Sequence, residues 1–517
     1  MKTEYSEGSG LADSLPWLVN YAVGSVAFIL ILAGSYLRLK KPKVSEAVRL
    51  TSFALLFAYS AFLITYDFVR GSLALLTAVV GIFLSSYTSA YERAKYPNRN
   101  LTMLIDVFVL AVFLVFASEN LLSFITFWLF AEIIGFFAIV FEMERRTLIA
   151  GLRYLLISMV PADVALLTVL GVSSIKLGFT EALLLPMSDL SNVLAGAEPL
   201  LLLLVLLGFM AKAAVAPFHF WLPDAHSLAP APASAVLSGV MVKMGIYGVM
   251  VAVPAVDAPY VLYAVLIFSS LTVIYGGLQA LVQTDLKRLL AYSTIENTSL
   301  ITLAVVSYKA FGVDILLTAG VVYSIAHGIF KASLFMNSGT IEILTHTREL
   351  PKLGYLSKVV VRPTFTALLS TLSLIGIPPT AGFLGKVLLL AGLVSVVYVN
   401  PSAGIALVVV AALGAALAIA YGVRYMTAYW GSPTLPKEVS HVNAETESSE
   451  LMLSLMNVFI AIPTYLSVAL VNVQLLDLIY VIPLGLLTAM FLALMYYVYT
   501  FIKRMARETP WLGGAVA

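Results

Sequence analysis

Six ionisable side chains stand where an apolar chain should carry none. Glu132 lies in FWLFAEIIGFF, Lys212 in VLLGFMAKAAV and Lys243 in SGVMVKMGIYG. His327 and Lys331 share AHGIFKASLF, and Lys386 closes GFLGK ahead of a leucine run. A lysine at the centre of a bilayer costs about 2.5–3.5 kcal/mol on insertion scales, and such residues mark ion pathways and proton relays. Burial disfavours the charged form of either group, and a carboxylate nearby restores a lysine's charge. A buried Lys–Glu pair therefore changes protonation when its geometry or a neighbour's charge changes. Histidine suits the middle of such a line, because its ordinary pKa of about 6.5 lets it take and give a proton readily. His327 and Lys331 are four residues apart and share one helix face.

Asp163, Glu296 and His219 are further candidates. Each also has a plain structural reading. Asp163 serves equally as hydrogen-bonded glue between helices. Glu296 falls about two turns from a helix end, where either role fits. His219 and His226 flank a proline break and read as hydrogen-bonded structural residues. Arg153 near a helix start reads as a side chain snorkelling to the surface, and Arg424 and Tyr425 as interfacial anchors.

The elements that must position these groups are membrane helices. Of 517 residues, 61% are hydrophobic and 11% charged, and the mean hydropathy is +0.98. A soluble chain carries about twice that charged fraction. Apolar runs of about 20 residues recur along the chain and are continuous rather than alternating, which selects helices over a barrel. The expected spans are 17–37, 47–68, 72–91, 101–116, 121–140 and 148–172, then one from 199 past a break at Pro217. They continue at 233–253, 259–282, 289–306, 315–344, 364–398 (broken at Pro378-Pro379), 403–430, 451–471 and 475–502. The fold class is thus an all-α polytopic membrane protein of about 14–15 spans. The polar, acidic start without a basic stretch makes the first run a retained helix rather than a cleaved signal.

Lys and Arg gather in the odd loops: Arg38 to Lys43, Arg93 to Arg99, Arg145 and Arg146, Lys287 and Arg288, and Arg348 to Arg362. The positive-inside rule then places odd loops in the cytoplasm, the N-terminus outside and the C-terminus inside, in the cell membrane. The thirteenth loop, with Glu438, Glu445, Glu447 and Glu450, is acidic and fits the rule poorly.

Helices 7 and 12 are both interrupted by proline, five spans apart. Proline breaks are tolerated in lipid only where they line protein or a wet cavity. A repeat of five spans inverts in the membrane, and paired broken helices in inverted halves point to an ion or substrate path. The expected division is 1–100 for helices 1–3, 101–255 for a first repeat, 256–430 for a second, and 431–517 for the C-terminal part. Two unrelated kinks are the competing explanation.

With no cysteine in the chain, disulfides, thiolate metal sites and cysteine-held iron–sulfur clusters are excluded. Any electron transfer belongs to another subunit.

Four blocks carry a family resemblance: KAAVAPFHFWLPDAHSLAPAPASAVLSGVMVKMG from Lys212, DLKRLLAYSTIENTSLI from Asp285, AHGIFKASLF from Ala326 and IGIPPTAGFLGK from Ile375. In these the chain resembles the antiporter-like membrane subunits of respiratory complex I, multisubunit cation/proton antiporters and energy-converting membrane-bound hydrogenases. The resemblance implies that Glu132 pairs with Lys212 and that Lys243 leads to the second half. It makes His327 and Lys331 relay members and places Lys386 at the exit. Glu296-Asn297 is similar to the hydrogenase branch, whereas GFLGK also fits the antiporters. The resemblance is nearest to archaeal membrane-bound hydrogenase and sulfur-reductase subunits, which implies a thermophile. It implies no cofactor on this chain. It implies other antiporter-like subunits and a peripheral arm of iron–sulfur and nickel–iron proteins as partners. The lipid bilayer is the other partner, and there is no nucleic acid. The function so implied is ion translocation, of protons or sodium, coupled to a redox partner. The alternative is a subunit of a sodium/proton antiporter without one.

Overall fold

The computed structural model of the chain describes residues 15–431, 444–461 and 493–500. All regular elements among them are helical, apart from two isolated bridges, Asn120 with Pro186 and Asp285 with Glu349. In chain order these are α1 (Leu15–Leu37), α2 (Pro42–Tyr66), α3 (Phe68–Lys95), α4 (Leu101–Ala117) and α5 (Leu121–Ile139). Next come α6 (Arg145–Leu177), α7a (Pro199–Lys212), α7b (Leu222–Leu228), α8 (Ala231–Ala255) and α9 (Pro259–Val282). α10 (Leu286–Phe311), α11 (Ile315–Thr345), α12a (Val361–Ile375), α12b (Ala381–Val399), α13 (Pro401–Trp430) and α14 (Ala444–Phe459) follow. Among the described residues eleven helices are long and apolar enough to cross a membrane, and α4, α7a and α12a are shorter apolar helices. Of the expected helix 15, residues 493–500 are described and are helical; the rest of it, the end of helix 14 and the C-terminus lie outside the described residues.

Helix starts follow local chemistry. Asn120 and Ser123 form a reciprocal capping box at α5, and Asp67, Asp285 and Asn400 cap α3, α10 and α13. Each cap satisfies backbone donors that have no partner within the helix, worth about 1 kcal/mol. α10 begins three residues before and ends five residues after the expected 289–306, and STIENTS in its middle is polar. Thr294, Thr298, Ser299 and Thr302 each return a hydroxyl to the carbonyl four residues back.

α8 and α10 form the centre, with 94% of their spanning windows buried, whereas α1 and α13 bury 28% and make the rim. Both long centre-facing interruptions are satisfied internally. At the first, Trp221 Nε1 donates to Ala211 O at 2.9 Å and Ala216 N to Thr272 Oγ1 at 3.1 Å. Ala214 there adopts a left-handed backbone, φ 57°, a strain of about 1–3 kcal/mol that its surroundings must hold. At the second, Gly376 turns left-handed, φ 91°, and Lys386 Nζ donates to Leu374 O and Ile375 O at 2.8 and 3.0 Å.

Charges from the odd loops meet at one end. Arg38 pairs with Glu92, and Lys95 with Glu342 at 2.8 Å. Arg288 pairs with Asp224 at 2.9 Å and Arg348 with Asp285 at 3.2 Å. At the opposite end Arg70 bonds Ala117 O and Lys309 pairs with Asp257. The acidic stretch expected to be a loop belongs in part to α14, which begins seven residues before the expected helix 14. Its glutamates face the basic end: Glu445 pairs with Arg93, and Glu447 lies 3.7 Å from Arg362. Counting hydropathy alone missed these partners.

Candidate ion-translocation site

The first cluster lies between α5, α6 and α7a. Glu132 and Lys212 are both fully buried, and Lys212 Nζ is 2.5 Å from Glu132 Oε1. Lys212 is the last residue of α7a, so the helix break sets its ammonium directly opposite α5. Tyr154 of α6 completes the cluster. Its hydroxyl accepts from Lys212 Nζ at 3.3 Å and donates to Glu132 O at 3.3 Å, and its ring lies under the ammonium at 4.7 Å. Asp163, on the same helix, lies close enough to Glu132 and Lys212 to act on both electrostatically. A π turn at Leu155–Met159 separates Tyr154 from Asp163 and resets the register that lets both face one site; such bulges are frequent at functional positions. Asp163 is therefore part of the Glu132–Lys212 cluster.

The second cluster joins the halves. Lys243 Nζ is 2.6 Å from His327 Nδ1 and donates to Ser238 O at 2.7 Å. Ser238 lies in a second π turn, Leu237–Met241. The first two clusters are closely joined, because α8 runs against the end of α7a. A Cβ on Gly245 would lie 2.4 Å from Ala213 N and 2.9 Å from Lys212 C, so glycine alone fits two residues past Lys243.

Lys331, one turn beyond His327, donates to Leu290 O at 3.1 Å and to Ser293 Oγ. It lies in Coulombic reach of Glu296 and Lys386. Glu296 is wholly buried near the middle of the assembly, nearly three turns into α10, deeper than the two turns expected because α10 starts earlier. Its Oε2 accepts from Tyr421 at 2.8 Å and from Asn297 at 2.5 Å, while Tyr323 donates to Asn297 Oδ1 at 2.6 Å. Its Oε1 has no hydrogen-bond partner and faces Gly414, where a Cβ would sit 3.1 Å away. Lys386 faces Glu296 electrostatically while bonded to the carbonyls at the end of α12a.

Glu132 with Lys212 on α5 and α7a, and Glu296 with Lys386 on α10 and α12b, thus repeat one arrangement five helices apart. The first pair is in contact, and the second is held apart by bonds to tyrosine and backbone. Residues 118–400, which enclose every one of these side chains except Tyr421, match the family described as NADH:quinone oxidoreductase/Mrp antiporter, TM. The chain belongs to this family.

Among antiporter-like relatives, Hydrogenase-4 component B of Escherichia coli K12 is 28% identical over 434 residues, 79% of this chain and 64% of that protein. The Mrp complex from Dietzia sp. DQ12-45-1b contains a chain of the same fold, with TM-score 0.72, 19% identity, and 94% and 99% coverage. So does the membrane-bound sulfane sulfur reductase, an archaeal respiratory membrane complex, with TM-score 0.72, 23% identity, and 84% and 75% coverage. The chain spans from 45% to 64% of the length of the curated relatives it matches.

His219 does not join the line. It follows the α7 break, and its ring lies against Phe220 and Tyr275, with neither nitrogen hydrogen-bonded. His226 is likewise stacked, on Phe335, rather than hydrogen-bonded as expected. Arg153 is half exposed and pairs with Asp224. Arg424 donates to Gln283 O at 2.9 Å, but Tyr425 is buried and bonded to Asn337, not an interfacial anchor. Tyr154, Tyr323 and Tyr421 were not singled out in the sequence, since a tyrosine in an apolar helix has no distinguishing spacing. Asp106 did carry a signal, a lone charge in LTMLIDVFVLAV; it pairs with buried Arg49 at 3.1 Å, both bonded to Ser85.

Asp163→Asn is expected to slow ion transport by about three- to tenfold, because an amide cannot hold a proton for Glu132. Asp163→Glu should recover most of the rate. Dye-reported proton flux in vesicles distinguishes the two, and equal rates for Asn and wild type would remove Asp163 from the path.

Proposed function

We propose that this chain is the ion-translocating, antiporter-like subunit of a redox-driven membrane complex of the hydrogenase and complex I type, and that its ion is the proton. The carrying observation is the line Glu132–Lys212, Lys243–His327, Lys331, Glu296 and Lys386, buried across the middle of the assembly on six helices, two of them interrupted. Lysine, histidine and glutamate that meet within hydrogen-bonding distance can hand protons along by small changes in partner. Four lysines buried in the middle of the assembly, of which Lys212 alone forms an ion pair among the described residues, would be a costly scaffold, which favours transport over a purely structural role.

In this proposal helices 4–8 and 9–13 are inverted repeats, each with its own carboxylate–lysine unit, and Lys243 with His327 forms the link. The basic end faces the cytoplasm of the cell membrane and the N-terminus lies outside. The chain carries no cofactor, and its companions are other membrane subunits and a peripheral arm bearing iron–sulfur and nickel–iron centres. The likeness to an Mrp complex supports a second reading, a subunit of a sodium/proton antiporter without a redox arm.

Gentle solubilisation of native membrane followed by mass spectrometry of the bound companions separates the two. A nickel–iron hydrogenase-like large subunit with iron–sulfur proteins is the expected result. Small membrane subunits alone, together with sodium-dependent proton flux in vesicles, would establish the antiporter instead.

A further inference from the structure

Glu450 of α14 is a buried carboxylate outside the line described above. It is fully buried, and none of the ion pairs among the described residues includes it. Its partners are neutral: Thr340 Oγ1 donates to Oε2 at 2.7 Å and Asn337 Nδ2 to Oε1 at 3.3 Å. Glu132 and Glu342, by contrast, are tied to lysines. Burying a carboxylate without a cation is expensive, and a glutamine would avoid that cost, its oxygen accepting from Asn337 and its N–H donating to the Thr340 hydroxyl.

Asn337 connects Glu450 to α13. Its Oδ1 accepts from both Tyr425 and Tyr429 at 2.9 Å. Tyr421, Tyr425 and Tyr429 stand at i, i+4 and i+8, one above another on a single helix face, about 6 Å apart. The deepest, Tyr421, donates to Glu296. On the other side, Glu447 lies one turn from Glu450 and is partly exposed beside Arg362. Tyr87 of α3 closes the remaining side, its hydroxyl bonded to Met336 O at 2.6 Å. The groups facing Glu450 are therefore Tyr87, Tyr425, Tyr429 and Glu447, with Arg362 beyond.

We infer that Glu450 is a proton-loading site. It takes protons from the basic face beside Glu447 and passes them along the hydroxyls of Tyr425 and Tyr421 to Glu296. The Asn337 amide stands between Glu450 and Tyr425, and about 6 Å separates Tyr425 from Tyr421, so a water must carry the proton past each gap. Each hydroxyl releases its own proton as it takes the next, one O–H bond breaking as another forms, and no electron moves. The inference rests on the proposed translocation function and adds a lateral entrance to it.

The test uses the whole complex in sealed vesicles, with proton flux recorded against the pH on the basic side. Glu450→Gln keeps the shape and can pair with both partners, the bond to Thr340 reversing its direction, but it cannot load a proton. The expected result is a loss of about tenfold or more in flux and a flattened pH profile, with normal assembly. Glu450→Asp should restore the pH dependence. Wild-type flux and profile in Glu450→Gln would overturn the inference. If that variant does not assemble, Tyr425→Phe decides: slower flux with an altered profile supports the path, and wild-type behaviour overturns it. Lys243→Ala is measured in parallel. Full flux in that variant removes the translocation function itself, whereas its loss beside an unaffected Glu450→Gln removes only the entrance.

Discussion

Lys243→Ala is expected to abolish coupled ion transport, by about 100-fold or more, while the redox turnover of the companion subunits remains measurable. The ammonium is the single group of α8 within reach of His327 Nδ1, at 2.6 Å, and its other bond is to the backbone of its own helix. Alanine leaves the ring of His327 facing a small apolar surface, and a proton arriving from Lys212 has no next acceptor. Lys243→Arg should rescue little, because a planar guanidinium keeps its proton and does not fit the space of a compact amine. Acidification of inverted vesicles, recorded with a pH-sensitive dye while the redox reaction is assayed separately, reads both quantities. Retained pumping in Lys243→Ala would sink the assignment of this lysine as the link.

The second large effect separates folding from transport in the Glu132–Lys212 pair. Removing one partner of a buried pair leaves an uncompensated charge and costs about 3–5 kcal/mol, whereas replacing both by neutral groups of similar volume is often neutral or stabilising. Glu132→Ala should therefore lower the melting temperature clearly, with Asp163 offsetting part of the loss through its nearness to Lys212. Glu132→Gln combined with Lys212→Met should melt near wild type. Both proteins should be inactive in transport. Thermal melts in detergent, set beside vesicle flux, test this. A double variant that melts as low as Glu132→Ala would mean that the pair contributes more than charge compensation. A double variant that still transports would place the path elsewhere.

How much of this was legible beforehand depended on range. Helix α9 has the bounds expected from hydropathy, Pro259–Val282, because membrane thickness and a flanking proline fix both ends locally. The breaks at Pro217 and Pro378-Pro379 were legible for the same reason. The pairing of Glu132 with Lys212 came from the resemblance, since 80 residues separate them and no local rule joins them. Asp163 could not be assigned because a π turn shifts its face, and hydropathy does not report a π turn. Glu450 was misplaced in a loop because four glutamates in one stretch look solvated; Glu438 lies outside the described residues, which leaves three. Two of them meet arginines of other loops, and the third is held by α11.

The hydrogen bonds of Lys386 to Leu374 O and Ile375 O give its charge a mechanical side. The same amine that answers Glu296 also fastens the end of α12a across the gap to α12b. When it turns toward the carboxylate, two buried carbonyls lose their donor, at about 1–3 kcal/mol apiece. The cheapest relief is for the two half-helices to tilt or unwind by a fraction of a turn. If the proposed proton step draws Lys386 away from those carbonyls, it would pull on α12b as a rod, and a step of a few ångströms would become movement along a whole half-helix.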